Sequence, residues 1–405
     1  MFPMNLPAAE PTAPTPAPVR LGSIDAYRGL VMFLLLAEGL NIAPVARALP
    51  DSAVWRFLHT QQEHVEWTGC VLHDMIQPSF SFLVGVALPF SVGNRRARGQ
   101  SAEAVTGHAF VRALVLVLLG IFLRSVGHPQ TYFTFEDTLS QIGLGYGFLY
   151  LLALRSVRVQ WIALGVILVG YWAAFALWPL PGADFDWAQA GVTPDFAGNL
   201  TGFAAHWNKN TNLAWAVDKW FLNLFPREKP FLFNVGGYST LSFIPTLGTM
   251  ILGLVAGETL RSERTGGAKV RWFVAAGIAG IAAGWLFGAL GICPVVKRIW
   301  TPSWVLFSGG WCFLGLAAFY AVIDVIGWRR WAFPLVVIGS NSIAAYIMES
   351  RFREFFRDAW QRHLGPDLPK FFGAAYAPFV IGVLVVGTYW LLLYGMWRKK
   401  IFLRI

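Results

Sequence analysis

The stretch Glu63-His64-Val65-Glu66-Trp67-Thr68-Gly69-Cys70-Val71-Leu72-His73-Asp74-Met75-Ile76-Gln77-Pro78-Ser79-Phe80 decides how the chain is read. Its first part crowds two histidines and three carboxylates together, and its end opens an apolar run that continues to about residue 93. A run of that length is what a helix needs to cross a bilayer, roughly 20 residues. Working outward, similar runs fill most of the chain. Of 405 residues, 56% are hydrophobic and only 13% charged, and the mean hydropathy is +0.53. These values lie outside the range of ordinary soluble domains, and the 19 Trp and 33 Phe suit aromatic belts at two membrane interfaces.

Apolar runs fall at roughly 27–49, 75–93, 109–126, 138–155, 159–179, 239–260, 270–290, 303–326, 331–349 and 372–397. The expected fold is therefore all-α and polytopic: about ten transmembrane helices in one bundle. Residues 1–20 are rich in Pro and Ala and lack a basic segment followed by an apolar core. They read as a disordered tail rather than a signal peptide, which leaves 21–405 as one membrane domain. Ser23 is an expected N-cap for the first helix, with Asp25 in its first turn.

The net charge of +10 would suggest nucleic acid in a soluble protein. Here the basic residues sit in short connections. With the N-terminus inside, Arg95-Arg96-Ala97-Arg98, the 155–158 and 261–271 connections, Arg329-Arg330 and Arg398-Lys399-Lys400 all fall on the cytoplasmic side, as topology-setting charges do. The C-terminus is then cytoplasmic as well. The His64 segment, the loop around His128 and a long loop at 180–238 face the other side. That loop carries Trp187, His206-Trp207-Asn208-Lys209-Asn210, Trp215 and Trp220. It reads either as an interfacial cap or as an aromatic platform for a sugar. Residues 349–358 mix three arginines with acids at helical spacing and read as an amphipathic helix along the interface. The three cysteines permit at most a Cys70–Cys293 bridge.

Ionisable groups inside spans are functional candidates, because desolvating them costs at least a few kcal/mol unless they are paired. Glu38 lies midway along the first run with no cation within a helical turn, so its partner must come from another helix or a ligand. Asp25 and Arg28 are three apart and can pair. Gln141 and Asn341-Ser342 are uncharged polar groups of the kind that join helices. His64 differs from the chain's lone histidines in having Asp74 near enough in sequence to orient its ring, which would leave a base active near neutral pH. A metal site on His59, His64, His73 and Asp74 is the rival, but these spacings match no common zinc pattern. No metal is expected.

At this point the chain resembles a known family. Arg20-Leu21-Gly22-Ser23-Ile24-Asp25-Ala26-Tyr27-Arg28-Gly29 is similar to the opening of the heparan-alpha-glucosaminide N-acetyltransferase family. So are His64-x-x-Trp67-x-Gly69 with Asp74, Pro78-x-Phe80-x-Phe82-x-x-Gly85, Gln141-Ile142-Gly143, residues 249–257, the stretch from Pro294 through Lys297-Arg298 to Thr301, and Gly339-Ser340-Asn341-Ser342. The segment from His206 to Phe225 looks more like the bacterial NagX-like branch. The resemblance implies transfer of acetyl from cytosolic acetyl-CoA to the amine of glucosamine, free or at the end of an oligosaccharide, across a bacterial inner membrane. It implies His64 as the catalytic histidine with Asp74 beside it, and a substrate site including Glu38, Trp67, Gln141, Asn341 and Ser342. Glu38 departs from an asparagine in the lysosomal members.

The chemistry fits independently: an ammonium must lose a proton before its nitrogen attacks a thioester. CoA phosphates would rest near Arg28, Arg95, Arg96 and Arg158 at the inner mouth, with a bilayer core of about 30 Å to bridge. A proton-coupled sugar transporter using Glu38, His64 and Asp74 is the rival function. Expected partners are the amino-sugar acceptor and the bilayer, not nucleic acid; self-association as a homodimer stays open.

Overall fold

The computed structural model describes residues 21–403 apart from Pro366. The Pro- and Ala-rich segment 1–20, with Arg20 of the opening motif, lies outside the described residues. Those described form helices and connections, with no strand among them. In order they are α1 (Gly22–Leu36), α2 (Ile42–Ala48), α3 (Ala53–Gln62), α4 (Ile76–Ala97), α5 (Ala102–Ser125), α6 (Thr138–Ala153) and α7 (Val157–Ala176). There follow α8 (Trp187–Ala190), α9 (Leu213–Phe221), α10 (Phe243–Arg261), α11 (Gly266–Ala289), α12 (Pro302–Phe319), α13 (Phe333–Gly339), α14 (Ser342–Leu364) and α15 (Ala377–Arg398).

The protein is an all-α polytopic membrane protein. Every one of the ten apolar runs becomes helix. Among the described residues, seven helices are long and apolar enough to cross, and nine if each of two bent pairs counts as one span. The first pair breaks by 48° where α1 passes through a 3-10 turn, Ala37–Leu40, into α2; the second breaks by 67° between α13 and α14. The run at 138–155 yields only the 16-residue α6. At 1.5 Å per residue it covers about 24 Å, short of a bilayer core.

The helix starts follow from sequence. Ser101, Asp137, Thr265 and Thr301 each cap a helix through a side-chain oxygen, and Pro302 follows Thr301 at the first helical position. Ser23 does not cap α1. The first amides, of Gly22 and Ser23, donate instead to the Asp324 carboxylate, at 3.3 and 3.1 Å. A residue some 300 positions away supplies what a local serine was expected to give.

The buried α10 packs against α4 at a crossing with no room for side chains. A Cβ at Gly253 would lie 1.9 Å from the Phe82 carbonyl oxygen, and one at Gly85 would lie 2.0 Å from that of Met250. Close backbone approach of this kind is how helices associate in lipid, where no hydrophobic drive brings them together. It fixes α4, which continues directly from the turn that carries His73 and Asp74. The helix ends carrying Arg95-Arg96, Arg261 and Arg398 form the basic end of the bundle. Residues 401–403 join it by hydrogen bonds to Asn341.

Residues 180–238 do contain structure of their own: α8, α9 and short 3-10 turns. They pack through Trp207 and Ala214 onto Trp67, Tyr171, Phe175 and Ile299. Cys70 and Cys293 are free. Gly253→Val is expected to abolish the folded protein, while Gly165→Ala, with open space around its Cβ, leaves the melting temperature in detergent at or slightly above wild type.

Candidate active site

Asp74 lies in the 3-10 turn Leu72–Met75 that leads into α4, and its side chain is 1% exposed. Its carboxylate gathers four donors. The Val65 and Val71 amides reach Oδ2 at 3.4 and 3.2 Å, while His64 Nδ1 and Lys297 Nζ reach Oδ1 at 2.7 and 3.2 Å. The loop from residue 63 to 71 is thus wrapped around one anion. Gln61 and Gln62 at the end of α3 hold the same region, Gln61 accepting from the Leu72 amide and Gln62 donating to the Ala37 carbonyl.

An ionised carboxylate only accepts, so the short contact places the His64 proton on Nδ1. Nε2 is left with its lone pair and has no hydrogen-bond partner among the described residues. The ring is 36% exposed. Partial burial holds the His64 pKa below its ordinary 6.5; Asp74 opposes the shift and the Lys297 ammonium adds to it. His64 is therefore a neutral base at neutral pH, oriented by a carboxylate.

Lys297 and Arg298 come from the tight connection between α11 and α12. Thr301 and Ser303 hold that connection: Thr301 accepts from the Val296 amide, both hydroxyls donate to the Pro294 carbonyl, and the Trp300 indole donates to Thr249. Lys297 is 6% exposed, and burial lowers its pKa against the pull of Asp74. Arg298 donates to the carbonyls of Val65 and Gly236 and lies over the Tyr238 ring.

Beside this group stands a second one. The His73 ring is 4.6 Å from that of His64, centroid to centroid. His73 Nε2 is 3.1 Å from Glu38 Oε1, and Arg353 of α14 donates to Glu38 Oε2 at 2.6 Å while also contacting Glu349. Glu38 lies at the break of the first bent pair: it sits where α1 gives way to the 3-10 turn, before Asn41 takes a left-handed φ of 53°. Its cation does come from another helix.

The remaining sequence candidates scatter. Gln141 is fully buried and its amide donates to the carbonyls of Phe135, Ser239 and Thr240. Asn341, also fully buried, ties residues 401–403, and Ser342 donates to Gly339. None of the three makes a hydrogen bond to the His64 group; each is hydrogen-bonded to backbone elsewhere. Trp67 is 2% exposed and its indole donates to the Trp207 carbonyl, pinning the 180–238 segment onto the His64 loop. His59 turns away to Glu63. Arg28 faces Asp25 at 3.5 Å, Arg95 bonds Gln100, and Arg96 and Arg158 are exposed at the basic end. Measured along α4, Arg95 lies about 30 Å from Asp74.

Sequence reasoning missed Lys297 and Arg353. A signal for Lys297 existed: two adjacent cations stand in a short connection between two apolar runs, on the side away from the topology-setting basic loops. In NMR titrations of histidine-labelled protein, His64 should show a midpoint below 6.5. Lys297→Met removes a positive neighbour and should move it upward. The same change leaves Asp74 with one cation fewer and is expected to cost about 3–5 kcal/mol of stability.

No family model matches the chain. It is 24% identical to heparan-alpha-glucosaminide N-acetyltransferase of Homo sapiens over an alignment of 432 positions that covers 96% of the chain, and 22% identical to the protein of the same name from Mus musculus over 430 positions that cover 95% of it. The chain spans about 60% of the length of these relatives. Likeness over nearly the whole chain to two proteins of one name supports a place for it in the heparan-alpha-glucosaminide N-acetyltransferase family.

Proposed function

We propose that the chain is a membrane-embedded N-acetyltransferase of the bacterial NagX-like kind. It takes acetyl from acetyl-CoA on the basic, cytoplasmic face of an inner membrane and delivers it to the amine of glucosamine, or of a terminal glucosamine, on the opposite face. The observation that carries this reading is the 2.7 Å contact between His64 Nδ1 and Asp74, which leaves Nε2 as an uncharged base at one end of the bundle. The likeness to proteins named for N-acetyl transfer supports the reaction class.

The residues supply general acid–base chemistry. His64 Nε2 accepts the proton that the attacking amine sheds, and Asp74 stabilises the imidazolium formed. The same proton then goes to the sulfur of the departing thiolate, restoring neutral His64. Lys297 balances the charge of Asp74, so that the carboxylate stays ionised without drawing a permanent proton onto His64. At the basic end, exposed Arg96 and Arg158 offer the donors that phosphates require.

Purified protein in detergent is expected to convert acetyl-CoA and glucosamine to N-acetylglucosamine and free CoA. His64→Ala is expected to lower turnover by about 100-fold or more in protein that still folds, with the melting temperature lowered by the loss of one donor to Asp74. Absence of product from the wild type, or full activity in the variant, contradicts the reading.

A further inference from the structure

We propose that His73, backed by Glu38, is a second general base, which takes the ammonium proton of the acceptor while His64 takes the proton released on attack. The inference rests on the acetyl-transfer reading above.

The stoichiometry demands two proton acceptors. An amine that arrives as R–NH3+ and leaves as an amide loses two protons from nitrogen. The C–N bond forms, the C–S bond breaks with its electron pair going to sulfur, and the products are the amide, the thiol and one free proton. The proton taken by His64 ends on sulfur. The other must leave before the nitrogen has a lone pair to attack with, and His64 cannot hold both.

The structure provides a matched partner. Each imidazole has its own carboxylate and each carboxylate its own cation: His64 with Asp74 and Lys297, His73 with Glu38 and Arg353. Glu38 accepts from His73 Nε2, so the proton of neutral His73 sits there and Nδ1 carries the lone pair. The rings are 4.6 Å apart, close enough for one nitrogen nucleophile to touch both. The charged groups around His73 are Glu38 from the turn after α1, Arg353 and Glu349 from α14, Asp74 beside it and, across the His64 ring, Lys297. The side chain of Glu38 is 30% exposed, which gives the proton a way out to water. Glu38 then stabilises the imidazolium that His73 becomes on taking up the proton.

The test compares two acceptors at a pH below the glucosamine amine's own pKa: glucosamine, which is then charged, and hydroxylamine, which is uncharged at neutral pH and needs one base only. His73→Gln is expected to lower kcat/KM for glucosamine about 100-fold and to leave that for hydroxylamine, above its uncatalysed rate, near wild type. The glucosamine defect should shrink as pH rises past the amine's pKa. Glu38→Gln, which keeps His73 and the contact of Arg353 with Glu349, should show the same selectivity with a smaller loss. Equal losses on both acceptors in variants that melt like wild type, or no loss on glucosamine, overturn the proposal. A wild type that acetylates neither acceptor overturns the acetyl-transfer reading itself, an outcome read without any variant.

Discussion

The Asp74 carboxylate, 1% exposed at the mouth of a membrane helix, is the constraint on which the rest of the site depends. A buried anion of this kind is tolerated only when its lone pairs are filled and its charge is met. Two amides, one imidazole and one ammonium do this, and each donor brings a piece of chain with it. The Val65 and Val71 amides fold the loop that bears His64, and Lys297 draws in the connection between α11 and α12. Arg298 and Trp67 then fasten that assembly to Tyr238 and Trp207, so that the 180–238 segment closes over it. The gathering of segments so distant in sequence around one carboxylate is an electrostatic requirement before it is a catalytic one.

The second ion group follows the same logic under looser burial. Glu38 is 30% exposed and Arg353 33%, against 1% and 6% for Asp74 and Lys297. Water reaches the outer pair, which gives a proton leaving His73 a way out. The inner pair holds a fixed charge and a fixed ring orientation. In the proposed reaction, the base held by the buried carboxylate keeps one proton within the site, and the base whose carboxylate is open to water releases the other.

Much of this was legible in the sequence. Ten apolar runs and the asymmetry of Lys and Arg pointed to the polytopic fold, because hydropathy and topology-setting charges act locally. The breaks in the spans were not legible: the left-handed Asn41 and the 67° bend between α13 and α14 both fall within continuous apolar runs. His64 and Asp74 were legible because ten residues separate them. Lys297 and Arg353 act across separations of 223 and 315 residues, which no local pattern carries. Gln141 and Asn341 are buried and hydrogen-bonded to backbone carbonyls, and a fold requirement leaves the same mark on sequence as a substrate contact. Local reading also placed the α1 cap at Ser23, when Asp324 supplies it.

The proposal that one bundle moves acetyl from one membrane face to an amine at the other is tested most directly by sidedness. Sealed proteoliposomes would hold glucosamine only inside, with acetyl-CoA only outside. The account predicts N-acetylglucosamine in the lumen and free CoA in the external medium, in matching amounts and dependent on His64. Product formed only when both substrates share one compartment, or glucosamine released unacetylated to the outside by a His64-dependent route, would contradict it.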